Sequence, residues 1–225
     1  MNFTSAVQND ILRRREQIHI YDKVDPRKTA LVVIDMQNAF CRPGGVLSVD
    51  SARAIVPNVN RLARALRGAG GSVYWIQMKI ASEAAWPVYL GDIVSRRENI
   101  GKILQDLAPD GEGSRLWPEL DVKDGDTLLP KNRFSAFLPK ACTLMEHLER
   151  QGKDTVVIVG TLTNVCCESS ARDAAMHDYK VIFASDANAA RNDSAHERSL
   201  EMIAQCFGDV RSTEEIIALI HAGSR

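Results

Sequence analysis

The sequence predicts an α/β fold, a three-layer α-β-α sandwich around a mostly parallel central sheet. Three observations carry that prediction. The runs TALVVIDM (29–36), SVYWIQM (72–78) and VVIV (156–159) are apolar almost throughout, as strands buried on both faces should be. Helical stretches separate them, so strands and helices alternate along the chain. Polar residues able to do chemistry fall directly after such runs, where ligands bind in open α/β sheets.

The elements follow in order. Residues 5–20 read as a charged, amphipathic helix within a leading segment 1–25, and Asp25-Pro26-Arg27 marks the entry to the core. The first strand runs into a turn-rich loop, Arg42-Pro43-Gly44-Gly45. Helical periodicity covers 52–67 through Ile55, Val56, Val59, Leu62, Ala63 and Leu66. Pro57 fits only within a first helical turn, which moves the start of the helix proper to about 56. Gly68, Gly70 and Gly71 stop it. Residues 80–125 read as a long irregular insertion with Trp86, Pro87, Tyr89, Trp117 and Pro118. In a compact domain such a segment is usually functional, here as the substrate pocket and its lid. A short strand at 126–129 leads into PKNRFSAF (130–137). Helix 141–151, the strand ended by Gly160, helix 165–178, strand 180–184 and helix 194–206 alternate after it. A final strand and helix share 209–221.

Composition narrows the function. The 225 residues fit one domain spanning 1–225. A formal charge of −1 argues against nucleic acid or anionic membrane as the partner. No apolar run reaches transmembrane length, and MNFTSAVQNDILRRREQ lacks the apolar core of a signal peptide. The five cysteines (41, 142, 166, 167, 206) are odd in number and form no C-x-x-C pair. Together these point to a reduced, cytoplasmic protein.

Three residues at strand ends form the candidate chemistry. Asp35 follows Leu31 to Ile34, Lys131 follows Leu128 to Pro130, and Cys166 falls where a helix begins after Gly160. Alone, such an Asp usually caps a loop, a Lys is usually solvated and a Cys usually packs. Their coincidence at three strand ends is what carries weight. An ordinary thiol is only a few per cent ionised at neutral pH. A carboxylate can take its proton and return it to a leaving amine, and an ammonium can steady both charges. The helix dipole at Cys166 is a further expected help toward the thiolate. Backbone N–H groups of Gly160-Thr161-Leu162-Thr163 can face the oxyanion.

The segments TALVVIDMQNAF (29–40), LPKNRFSAF (129–137) and VGTLTNVCCESSARDAAMHDYKVIFASDANAA (159–190) resemble the isochorismatase-like cysteine hydrolase superfamily. The resemblance covers most of 28–210 and implies a catalytic triad of Asp35, Lys131 and Cys166. It further implies a strained or cis peptide at Thr161–Leu162 and an oxyanion hole from the backbone N–H groups of Leu162 and Cys166. The family's T-x-x-C, counted from Thr163, selects Cys166 over Cys167, which is read as packing into the sheet. The nicotinamidases of this superfamily carry an Asp-x-His and a further His after the second strand, whereas this chain has QMKIASEAAW. Ala39 also stands where their DMQNDF has Asp. No metal and no cofactor are therefore expected. Isochorismatases proper lack the cysteine.

The remaining resemblance is to the amidohydrolase branch, such as ureidoacrylate amidohydrolases and N-carbamoylsarcosine amidases. It implies a small-molecule amide or ureido (carbamoyl) substrate and a homodimer or homotetramer. Arg133 is the candidate for a substrate carboxylate, suited by its guanidinium fork. Its alternative is a surface or interface ion pair. Gln37 and Asn38 are candidates for orienting the substrate, Phe40 and Phe137, with Phe134, Trp86 and Tyr89, for walling the pocket, and Asn164 for capping the helix. Alternatives for the whole chain are a lactam hydrolase, a non-catalytic scaffold, or a redox sensor built on Cys166 and Cys167.

Overall fold

The computed structural model describes residues 3–94 and 96–223. Six parallel strands form one sheet: β1 (Thr29–Ile34), β2 (Ser72–Met78), β3 (Thr127–Lys131), β4 (Thr155–Thr161), β5 (Lys180–Ala189) and β6 (Asp209–Arg211). Their order is β3-β2-β1-β4-β5-β6, so the direction of winding reverses between β1 and β4. The sheet is parallel at every pairing.

The unbroken apolar runs are explained by two cores. Ala30, Val32, Ile34, Val156 and Ile158 face one core. Leu31, Val33, Val157 and Val159 face the other. On the first side pack α1 (Ser5–Arg15), α4 (Arg97–Leu107), α5 (Leu144–Arg150), α6 (Glu168–Met176) and α7 (Asp193–Met202). On the second lie α3 (Val56–Gly68) and α8 (Thr213–Gly223). A strand with helices on both faces has no solvent side, so alternation vanishes from its sequence. A short turn of helix, α2 (Asn38–Cys41), follows β1.

Several boundaries differ from the sequence expectation. The leading helix stops at Arg15, not 20, because Glu16 adopts a left-handed φ of 61° as its C-cap. Pro57 sits in the first turn of α3, and residues 50–55 form a preceding 3₁₀ segment. Residues 80–125 are more ordered than expected and include α4, whose Ile100, Ile103 and Leu107 are buried at helical spacing. The strand expected at 180–184 runs on to Ala189 past a register shift opposite Ile158 and Gly160. Gly160 does not end β4. Its φ is 122°, and a Cβ there would collide with the backbone of Ile34. Glycine lets β4 lie close to β1, the pair that carries the site.

Candidate active site

Asp35 is the first residue after β1 and has a left-handed φ of 52°. Its N–H donates to Ile76 O at 2.9 Å, and its own carbonyl accepts from Gln37 N at 2.9 Å and Thr161 Oγ1 at 3.3 Å. The chain thus turns sharply off the sheet while remaining tied to β2 and β4. Lys131 ends β3, in register with Met78 at the end of β2. Its long side chain reaches across β2 to Asp35. Cys166 lies in a five-residue π-turn (Thr163–Cys167) that joins β4 to α6.

The three groups meet. Lys131 Nζ donates to Asp35 Oδ2 at 2.8 Å, to Cys166 Sγ at 3.5 Å and to Arg133 O at 3.1 Å. An ammonium has three protons, and each has an acceptor. Asp35 is 0 % exposed, Lys131 1 % and Cys166 7 %. Asp35 Oδ1 is buried without a hydrogen-bond partner. A buried acceptor left unmatched is costly, so a proton brought to it would be well received.

Burial and the charges within the cluster together shift its three ionisable groups. Burial pushes the Asp35 carboxyl up, against the pull of Lys131. Burial also drags Lys131 down, but Asp35 and the Cys166 sulfur outweigh it and the net shift is upward. The Cys166 thiol is pushed well up by burial and by Asp35, with Lys131 opposing. The helix-dipole expectation of a lowered thiol pKa is therefore corrected: loss of water around the sulfur dominates. Burial thus favours the thiol over the thiolate at Cys166.

Cys166 opens onto a cavity of about 220 Å³. Leu162, Val165 and Phe134 flank it, Trp86, Tyr89 and Phe40 add aromatic surface, and Arg191 supplies the charged group among its walls. Trp86, Tyr89 and Phe134 form an aromatic cluster with centroid separations of 4.2, 4.7 and 5.0 Å, Phe134 meeting the other two rings edge to face.

Of the residues expected to touch substrate or wall its pocket, Phe40, Phe134, Trp86 and Tyr89 line this cavity, and Gln37, Asn38, Arg133 and Phe137 do not. Gln37 is saturated: its amide donates to Met78 O at 3.0 Å and Ser114 O at 2.8 Å and accepts from Met78 N at 2.7 Å. It extends the end of β2. Asn38 donates to Glu112 O at 3.0 Å and fastens the insertion. Phe137 is buried against Tyr179, with ring centroids 5.7 Å apart. Arg133 points away, donating to Asn132 O and Ala85 O and lying 4.9 Å from the Trp86 ring. It braces the aromatic wall from behind. Asn164 is exposed and makes no cap, because α6 continues the π-turn without a separate start. Cys167 is fully buried in the core, as expected, and its thiol is raised by burial.

Sequence reasoning missed Arg191 and the α4 wall. Arg191 follows the true end of β5, so ending that strand at 184 hid its place at the sheet edge. Ile100, Ile103 and Leu107 at i, i+3 and i+7 were the visible sign of α4. The expected cis peptide at Thr161–Leu162 is present.

A model of the isochorismatase domain matches residues 29–215, which include every element carrying the site. The chain belongs to the isochorismatase family. Ureidoacrylate amidohydrolase RutB of Klebsiella pneumoniae subsp. pneumoniae is 33% identical over 206 residues, 84% of this chain and 85% of that protein. Among solved structures, a cysteine hydrolase from Pseudomonas syringae pv. phaseolicola 1448A superposes with a TM-score of 0.80 at 30% identity. It is covered to 98%, and this chain to 91%. The N-carbamoylsarcosine amidase of Thermoplasma acidophilum superposes with a TM-score of 0.67 at 26% identity, covering 83% of this chain and 97% of that one. With these relatives the chain is an isochorismatase-family hydrolase.

Proposed function

We propose that the protein is a metal-independent cysteine amidohydrolase that cleaves the C–N bond of a small amide or ureido compound. The observation that carries this reading is the convergence of Asp35, Lys131 and Cys166 in one buried cluster opening on a cavity. The amidohydrolase names of the relatives above support the bond type.

The chemistry follows from the charges. Asp35, with a raised pKa and a free Oδ1, takes the Cys166 proton as the sulfur attacks the carbonyl carbon. Lys131 stays protonated and offsets the charge passing between them. The backbone N–H groups of Leu162 and Cys166 are our candidates for the oxyanion hole, since both residues line the cavity. Asp35 then returns the proton to the leaving nitrogen. A thioester remains, and water attacks it with Asp35 again as base, giving acid and free thiol. Arg191, in place of Arg133, is our candidate for a substrate carboxylate. Assembly as a homodimer or homotetramer is expected and is read by light scattering.

The test is ammonia release from ureido acids, primary amides and nicotinamide, with chelator present, by the native chain, Cys166→Ser and Cys167→Ser. Turnover abolished by Cys166→Ser, largely kept by Cys167→Ser and indifferent to chelator is the expected result. Turnover that survives Cys166→Ser overturns the nucleophile assignment.

A further inference from the structure

Building on the hydrolase reading, we propose that the substrate carries a bulky apolar group, about the size of a phenyl ring. The pouch that receives it is roofed by the insertion 80–107.

The lining departs from that of a site for a small polar acid. Apart from the Cys166 thiol, only Trp86, Tyr89 and Arg191 among its lining residues carry polar side-chain groups. On the side of the insertion the walls are Ile80, Leu90, Val94, Ile103 and Leu107. Ile80, Leu90, Ile103 and Leu107 are buried as deeply as core residues. They close the back of the cavity, and the apolar surface left open to a ligand comes from the half-buried Phe40, Val46, Leu47, Val94, Leu162 and Val165 beside the aromatic cluster. The roof is tied down: Ile80 N donates to Leu107 O at 2.8 Å, and Arg133 holds Ala85 O at 3.1 Å. The pouch is part of the fold, bounded by anchored elements.

Size and chemistry then select the ligand. An apolar cavity of about 150 Å³ is enough to take up benzene. The present one, at about 220 Å³, holds such a ring together with the amide under attack. A hydroxyl or carboxyl group placed among Val46, Val94 and Val165 would lose its water and gain no partner. Charge belongs at the other wall, where the exposed Arg191 lies beside Leu47 and Ser48, whose carbonyls it already binds. The predicted substrate is thus an amide or carbamoyl compound with an alkyl or aryl body, with any carboxylate on the Arg191 side.

The experiment compares kcat/KM for ammonia release from acetamide, butanamide, hexanamide and phenylacetamide, and from their hydroxylated analogues. Each seated methylene should raise kcat/KM about fourfold. Hydroxylation at the far end should cancel the gain. Val94→Trp, which narrows the pouch from a half-buried wall position, should collapse the phenylacetamide-to-acetamide ratio at least tenfold. A ratio that is flat or falls with chain length, with polar ureido acids turned over best, overturns the apolar pouch and leaves the hydrolase reading standing. If no amide is turned over, calorimetry on Cys166→Ser decides. Phenylacetamide binding at least tenfold tighter than acetamide sustains the ligand class and sinks the amide-cleavage reading. Equal binding overturns the ligand class.

Discussion

Asp35 and Lys131 show how much a single buried ion pair is asked to do. Two charges removed from water are tolerated because each ammonium proton is accepted and the carboxylate sits 2.8 Å away. Removing one partner leaves the other buried and unpaired. Lys131→Met and Asp35→Asn should each abolish turnover and lower stability by about 3–5 kcal/mol in urea denaturation. The double variant should lose less than the sum of the singles, since no lone charge remains. The pH profile follows from the same pair. In the proposed mechanism protonation of Asp35 removes the base, so kcat/KM should fall as pH falls through a pKa that burial holds above the ordinary 3.8. Loss of the Lys131 proton produces the alkaline limb, at a pKa above the ordinary 10.5. A pH–rate profile with its acid limb at or below 3.8 would contradict the assignment of Asp35.

At the scale of elements, the π-turn carrying Cys166 is held from outside. His196 Nε2 must donate to the Ser185 carbonyl at 3.0 Å, which leaves Nδ1 to accept from Thr163 Oγ1 at 2.9 Å. One turn along α7, Ser199 Oγ donates to Thr163 O at 3.2 Å. Ser170 Oγ donates to Cys166 O at 2.7 Å and accepts from Ala136 N at 3.0 Å. The turn is thereby tied to α7, to β5 and to the loop after β3. Burial lowers the His196 pKa, so the neutral imidazole is the form that folding prefers. The sign is clear: the unfolded chain binds this proton more readily, so the contribution is present above pH 6.5 and is lost as pH falls below it. His196→Gln should flatten the dependence of Tm on pH between 5 and 7. A slope unchanged from the native chain would show that another group sets it. Gly160 sets how closely β4 lies against β1. Gly160→Ala, which places a Cβ against Ile34, should cost more than about 2 kcal/mol and separate the strands bearing Asp35 and Cys166.

Across the whole molecule, the leading segment closes the sheet at the β6 edge. Asp209 is fully buried and accepts from His19 Nδ1 and Ile20 N at 2.9 Å, Tyr21 N at 3.1 Å and Arg211 Nε at 3.0 Å. One carboxylate pins the segment where Ile11 of α1 enters the core. Asp209→Ala would orphan two backbone donors and an arginine. The expected loss is about 3 kcal/mol in chemical denaturation, with the kcat of the surviving folded protein nearly unchanged. Asp35 and Cys166 follow β1 and β4, the two strands where the sheet reverses its winding. Parallel strands end together there, so residues far apart in sequence share one crevice.

The sequence by itself determined the sheet-forming strands, most of the helices and the three residues that meet in the buried cluster. Those features are local: an apolar run names a buried strand, and the residue after it lands at the sheet edge whatever its neighbours are. The tertiary structure alone decided what surrounds the cluster. Gln37 and Arg133 carry side chains suited to substrate, yet backbone carbonyls and an aromatic ring claim them. Arg191 and α4 reach the cavity through packing between segments distant in sequence. Burial, also a property of the whole fold, reversed the expected shift of the Cys166 thiol, because desolvation depends on every atom that excludes water and the helix dipole on one element only.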